Sequence, residues 1–334
     1  MSDDLLRRGA ANAVNVCMAV GPADRVVVVT DIARRVIGEA LAAEATAAGA
    51  SIRTLLLEDF TARPATGYPE PMQRQVAELN PTVSFFAATA LPGELAFRRP
   101  YMDQVIYQLK ARHGHMVGID ERLMREGMQA DYREIARITN AVTDAVRDAR
   151  HIEVTSPSGT HLVAGFNPSL RRWYPCHGLY HEPGTWGNLP EGETFTSPMA
   201  VDGVMGAEVL GDHFSAKYGV LPAPALFHIE GGRVRKVDAP LPELAAELEE
   251  YLNRDPEGRR VGEYAIGTNI ALTGLSGNLL QDEKLPGVHI AFGYPYPNET
   301  GADWTATTHL DIVATRSTIT VDGQVLMRDG AFAL

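Results

Sequence analysis

Cysteine is nearly absent: the 334 residues contain two, Cys17 and Cys176, far apart and in unlike surroundings. Neither belongs to a Cys-x-x-Cys pair, and no disulfide framework is implied. Cys17 lies in an apolar, helix-patterned stretch and reads as a small core residue. Cys176 follows Tyr174-Pro175 in a loop-like segment and reads as the more accessible of the two. A reducing, cytoplasmic setting is expected. Long apolar runs are missing as well: no stretch reaches the ~18 residues that a membrane-spanning helix needs. The first residues, MSDDLLRRGAANAVNVCMAVGP, place acids first and interrupt the apolar face with Arg and Asn, unlike a secretory leader. Positive charge is in deficit, with 30 Lys and Arg against 42 Asp and Glu and a net charge of −12. Phosphates repel that balance, so nucleic acid and anionic membrane are excluded as main partners. Arg98-Arg99 and Arg259-Arg260 read as solvated surface pairs. Phosphate-cradling glycines are lacking too. The run Val26-Val27-Val28-Val29 leads into Thr30-Asp31-Ile32-Ala33-Arg34, with neither a Gly-x-Gly-x-x-Gly nor a P-loop at the turn.

What is present is ordinary globular composition, 45% hydrophobic and 22% charged, over a length that suits two domains. Through about residue 150, apolar runs alternate with helix-period segments. Strands are expected at 26–29, 51–57, 82–87 and 115–119, and helices at 32–48, 71–79, 101–112 and 131–150. That alternation argues for an open parallel α/β sheet. Without the glycine loop, this domain reads as scaffold or partner surface. After His151 the texture changes to short β-patterned pieces separated by Gly, Pro and Asp. Hairpin signals appear at Glu230-Gly231-Gly232-Arg233 and Asp322-Gly323, and one helix is expected at 243–253. The expected fold class is therefore α/β plus α+β: an open α/β domain over 1–150, then a mostly antiparallel, β-rich metal-binding domain over 151–334.

The chemistry is concentrated in the second half. Trp186-Gly-Asn-Leu-Pro-Glu-Gly-Glu193 is a Gly/Pro loop that delivers two carboxylates, Glu191 and Glu193. Glu263 stands in an otherwise apolar, small-residue strand, Gly262 to Asn269. His289 stands in Val-His-Ile-Ala-Phe, where an unpaired polar group is costly unless bonded or coordinated. In His309-Leu310-Asp311 the imidazole and the carboxylate are two residues apart, so on a strand they share a face. Clustered carboxylates repel unless a cation lies between them, and imidazole beside carboxylate suits a divalent ion of borderline hardness. Taken singly, each residue has an ordinary structural explanation, such as a backbone-bonded core histidine, a turn carboxylate or a cross-strand ion pair. The ordered combination rises above that background. His177 and His181 have the spacing of a helical metal pair. The surrounding Gly178, Pro175 and Pro183 oppose a helix, so they read as loop residues or substrate contacts. Ser276 lacks the spacing of a nucleophile elbow.

The order Asn-Leu-Pro-Glu-Gly-Glu-x-Phe-Thr-x-Pro, Gly-Glu-x-x-Ile-Gly-Thr-Asn, His-Ile-Ala-Phe-Gly and His-x-Asp resembles the M29 metallo-aminopeptidases, the aminopeptidase T and thermophilic leucyl aminopeptidase group. The likeness covers about residues 150–334. It implies a dinuclear hydrolytic site with Glu193, Glu263, His289, His309 and Asp311 as ligands. The ions would be two divalent zinc, cobalt or manganese ions, with magnesium also admitted. It further implies a homodimer acting on a peptide-like or small-molecule amide. Tyr296 matches the tyrosine that follows the first family histidine, and it would donate a hydrogen bond to the tetrahedral oxyanion. Glu191 or Glu193 would relay the proton. Asp282-Glu283-Lys284 matches a family stretch ahead of that histidine. The compact segment between the two histidines carries Tyr294, Tyr296 and Trp304, which suit a planar or hydrophobic substrate group or a lid. A second branch, the 2,5-dihydroxypyridine 5,6-dioxygenases, is similar in length and uses one Fe(II). His289, His309 and Asp311 alone would satisfy its ligand pattern, while the additional Glu193 and Glu263 favour the hydrolase. A third reading is a non-catalytic, metal-containing binding protein.

Overall fold

The computed structural model describes residues 2–334 and contains two compact units. One takes the chain up to Glu134 together with Gly178–Glu191, and the other takes Ile135–His177 and Gly192–Leu334. The single boundary expected near residue 150 thus gives way to three crossings. The cause is Trp186–Asn188, a strand that pairs in parallel with Arg112–His115 and draws its loop into the first unit. Three residues with a central glycine give no apolar run to announce a strand.

In the first unit, Arg25–Thr30 is a run of β-branched residues, favourable for a pleated, packed surface. It pairs in parallel with Ser51–Leu56 on one side and Val83–Ala87 on the other. Arg112–His115 and Trp186–Asn188 complete a five-stranded sheet. The central strands are buried on both faces, as parallel sheets with helical crossovers are. The alanine-rich helix Arg35–Ala47 ends just before Gly49, whose φ of +85° only glycine adopts without strain. Two expectations are displaced. The strand placed at 115–119 lies at Arg112–His115, because two histidines that read as polar are in fact buried in it. The helical span placed at 101–112 begins earlier, as Leu95–Met102, and continues as the π-helical Asp103–Gln108. Past the C-terminal ends of the first and third strands, Arg63 is enclosed by Glu94, by Asp31 Oδ2 at 2.9 Å and by the Thr89 carbonyl at 2.9 Å. These bonds satisfy a charge that would be costly to bury alone.

The two buried histidines form a directed chain. Arg98 only donates, so His115 Nε2 accepts from it at 3.3 Å. His115 Nδ1 then donates to His113 Nε2 at 3.1 Å, and His113 Nδ1 donates to Ser84 Oγ at 3.1 Å. Burial lowers both pKa values, His113 to about 3; His115 is depressed further by His113 and Arg98. Both folded values lie below the unfolded value near 6.5. The unfolded chain therefore takes up these protons first as pH falls. Their effect is nil above pH 6.5 and grows increasingly destabilising on the way down. The expected loss at pH 5 is about 2 kcal/mol from His113 alone. Urea unfolding of wild type and His113→Gln as a function of pH checks this: a wild-type profile no steeper than the variant's between pH 6.5 and 5 refutes it.

The second unit is antiparallel in every strand pair described. An eight-stranded sheet runs in the order Arg233–Asp238, Ala225–Glu230, Ala200–Ala207, His161–Gly165, His151–Thr155, Thr318–Val321, Gln324–Arg328, Ala331–Phe332. The expected Gly231-Gly232 hairpin is present, with both glycines at positive φ as the tight turn demands. A six-stranded sheet runs Val209–Leu210, His309–Thr315, Gly287–Gly293, Val261–Gly267, Glu193–Thr196, Tyr174–Cys176. One face of this second sheet, through Tyr264, Ile266, Val288, Ile290, Phe292, Leu310 and Ile312, joins the main core of the unit. The long helix expected at 131–150 is Tyr132–Val146, and the acidic one is Pro242–Leu252. Among the described residues, no helix is long and apolar enough to cross a membrane.

Candidate metal centre

Side chains directly opposed on antiparallel strands share a face, and so do residues two apart on one strand. The register of the six-stranded sheet therefore decides which groups can meet. Glu193 opposes Gly267, and Phe195 opposes Ala265. Ala265 opposes His289, and Glu263 opposes Ala291. Ala291 opposes Asp311, and Gly293 opposes His309. Glu193, Glu263, His289, His309 and Asp311 thus all project from the face opposite the apolar core, on four adjacent strands. Ala265 and Ala291 between them are small, and Gly267 lets the Leu285 carbonyl come close, since a Cβ there would lie 1.9 Å from that oxygen. Gly211 extends that economy: a Cβ there would lie 3.0 Å from Asp311 Oδ2.

The five side chains converge. His289 Nε2 lies 3.3 Å from Glu193 Oε2 and 3.6 Å from Glu263 Oε1. His309 Nε2 lies 3.5 Å from Glu263 Oε2 and 3.3 Å from Asp311 Oδ1. The two oxygens of Glu263 therefore face different histidines. Two three-residue groups result, Glu193–Glu263–His289 and Glu263–His309–Asp311, each with its ligand atoms mutually within 4.8 Å. A further group of the same compactness joins Glu283 to His289 and Asp311. Among the described residues, no such group contains both histidines.

The donor chemistry fits divalent ions. His309 Nδ1 faces the Tyr294 carbonyl at 3.1 Å and must donate to it, which leaves the Nε2 lone pair toward the carboxylates in the neutral tautomer. Glu193 Oε2 is buried without a hydrogen-bond partner, as is His289 Nδ1. Gaps of 3.3–3.6 Å are long for hydrogen bonds. They match the separation of about 3.4 Å between two ligands bound tetrahedrally to one ion. Electrostatics point the same way. Burial alone would lower both histidine pKa values, yet the carboxylates push His289 up to about 9 and His309 to about 10. Burial raises Glu263. Burial also works to raise Asp311, but His309, then His289 and Lys284, hold it below the usual carboxylate range. Without an ion, the histidines carry protons as the cations between carboxylates, a task that a divalent ion performs with more charge.

Glu191 joins none of these groups. It belongs to the first unit, where its buried Oε2 accepts from the Tyr180 hydroxyl at 2.9 Å and the Asn188 amide at 3.0 Å. His181 is likewise in the first unit, bonded to the Val16 carbonyl. Ser276 donates to Asp282 and closes a loop. Cys17 is buried and Cys176 half-buried. Trp304 packs under the Arg260 guanidinium at 4.1 Å. Tyr296 stacks edge-on to His309, with ring centres 5.2 Å apart. Two groups at the cluster had no assigned role in the sequence: Glu283, and Lys284, whose side chain is fully buried. Their presence just ahead of the first histidine strand was the available signal, but a lysine is by default a surface residue.

The fold is shared with known structures. AmpT from Thermus thermophilus superposes with a TM-score of 0.73 at 18% identity, covering all of both chains. The 2,5-dihydroxypyridine dioxygenase from Pseudomonas putida KT2440 superposes with a TM-score of 0.72 at 17% identity, covering 100% of this chain and 98% of that one. A comparison with curated protein sequences finds no match. The model of the thermophilic metalloproteases matches residues 119–329, which include every group of the cluster. The chain therefore belongs to the M29 thermophilic metalloprotease family, a family of metal-dependent peptidases.

Proposed function

We propose that the chain is an aminopeptidase-like hydrolase with a dinuclear metal centre. The observation that carries this reading is the division of Glu263 between the two histidines. One ion would be held by Glu193, Glu263 and His289 and the other by Glu263, His309 and Asp311, so Glu263 would serve both. When bound, divalent ions supply Lewis acidity and make water nucleophilic near neutral pH. Zinc, cobalt and manganese suit the mixed imidazole and carboxylate donors. Of the two loop carboxylates, Glu193 is the one in the cluster and serves there as a ligand, while Glu191 Oε2 takes two hydrogen bonds. Tyr296 donates to the developing oxyanion. The surplus of carboxylates suits the ammonium of a free peptide N-terminus, and Tyr294 and Tyr296 offer rings to an apolar side chain.

Metal analysis of protein purified without chelators tests the reading. About two equivalents of zinc, manganese or cobalt per chain are expected, along with release of the N-terminal residue from short peptides. Chelation should abolish that release and metal should restore it. One equivalent of iron, with oxygen uptake on a dihydroxypyridine, would replace the proposal with ring cleavage.

A further inference from the structure

Lys284 is an unusual neighbour for a metal centre. Its side chain is wholly buried, and Nζ lies 2.7 Å from Glu193 Oε1 and 2.8 Å from Glu283 Oε1. The backbone around it is tied down. Its amide donates to the Gln281 carbonyl at 2.9 Å, and its carbonyl accepts from Asn269 at 2.9 Å. Two residues earlier, Asp282 accepts from the Ser276 and Gly277 amides, each at 2.7 Å. The ammonium is therefore fixed in place, and the two carboxylates offset the cost of burying it.

We propose that Lys284 makes the two ion positions unequal, holding Glu193 to one-oxygen ligation and weakening the Glu193–Glu263–His289 position relative to Glu263–His309–Asp311. This rests on the dinuclear reading given above. Two physical effects act together. First, Glu193 Oε1 is engaged by the ammonium while Oε2 has no hydrogen-bond partner, so Oε2 is the oxygen best presented to an ion and chelation by both oxygens is disfavoured. Second, a fixed positive charge beside one ligand of the first position shares that ligand's negative charge and repels an incoming cation. The second position feels the same ammonium less, because Lys284 acts on Asp311 from farther than its 2.7 Å contact with Glu193. Among the described residues, no lysine or arginine nitrogen lies within 4.0 Å of Glu263 or Asp311, whose ion pairs are to histidines alone. Lys284 is thus a positioning residue, acting through Glu193, and the position beside it is the one that fills second and empties first.

The test is titration of the metal-free full-length chain with Co²⁺, followed by calorimetry and by the visible absorption of each bound ion. Wild type is expected to bind in two steps of one equivalent, with dissociation constants at least about tenfold apart. In Lys284→Met the weaker step should tighten until the two constants lie within about threefold of each other. Glu193→Gln should remove the weaker step and keep the tighter one, which decides the matter should Lys284→Met fail to fold. Two equal sites in wild type, an unchanged gap in Lys284→Met, or loss of the tighter step in Glu193→Gln each overturns the inference while leaving the metal centre standing. A wild-type chain that binds no Co²⁺ overturns the metal centre itself, and this inference with it.

Discussion

Glu263→Gln is expected to lower peptide turnover by about 10⁴-fold and to reduce bound metal from two equivalents to one or none. The size follows from the position. Among the described residues, Glu263 is the carboxylate whose two oxygens face different histidines, and it is the ligand common to the Glu193–Glu263–His289 and Glu263–His309–Asp311 groups. The amide keeps the shape of the side chain but offers one neutral oxygen, with an NH₂ group pointed at one of the imidazoles. The charge that would bind a cation at either position is lost. Activation by two ions contributes several kcal/mol to a hydrolytic barrier, and each 1.36 kcal/mol is a factor of ten. The fold should survive, because burial already penalises the charged form of Glu263 and the strand's inward face is made by Tyr264 and Ile266. Metal content, far-UV circular dichroism and initial rates on one preparation check all three points. A variant that keeps two ions and more than a tenth of the activity would remove Glu263 from the bridge.

Four of the five convergent residues stood out in the sequence through strand periodicity, and Glu193 was set apart from Glu191 as a ligand by the family resemblance. His309 and Asp311 are two apart, and Glu263 and His289 each interrupt an apolar run that a strand would bury. Period-two alternation sends such residues to the face their apolar neighbours avoid. The register adds what spacing could not. It sets Ala291 between Glu263 and Asp311, and it splits Glu263 between two histidines. Spacing could not separate Glu191 from Glu193, because two carboxylates at the end of one loop look equivalent. The chain passes from one unit to the other between Glu191 and Gly192, and within the second unit it is Glu193 that joins the histidines. Lys284 was invisible as a partner of Glu193 because their pairing joins segments about ninety residues apart. The Trp186–Asn188 strand was hidden by its length, and Arg112–His115 by its polar composition. In both, tertiary pairing outweighs local propensity.

Tyr296→Phe is expected to lower kcat by 10²–10³-fold, roughly 2.7–4 kcal/mol, with KM changed little and metal content unchanged. The ring itself is held by three aromatic neighbours: His309 at 5.2 Å, Tyr294 at 5.1 Å and Phe195 at 5.3 Å. Phenylalanine preserves all of these. The backbone adds a further sign of placement, since Tyr296 adopts a left-handed conformation with φ of 50°. That conformation costs a non-glycine residue about 1–2 kcal/mol. Its carbonyl accepts from the Thr300 amide at 2.8 Å and the Thr300 hydroxyl at 2.9 Å, which hold the strained turn. The hydroxyl is kept as a donor: burial, and then the charges of Glu263, Asp311, Glu283 and Glu193, push its pKa well above the ordinary phenol value. A phenol that stays protonated beside four carboxylates cannot serve as a base, but it can donate to an oxygen that gains negative charge during reaction. Because that charge appears only on the way to the tetrahedral state, the loss should fall on kcat and leave ground-state binding nearly intact. A packing role predicts the opposite, since Tyr296→Phe would then turn over within twofold of wild type.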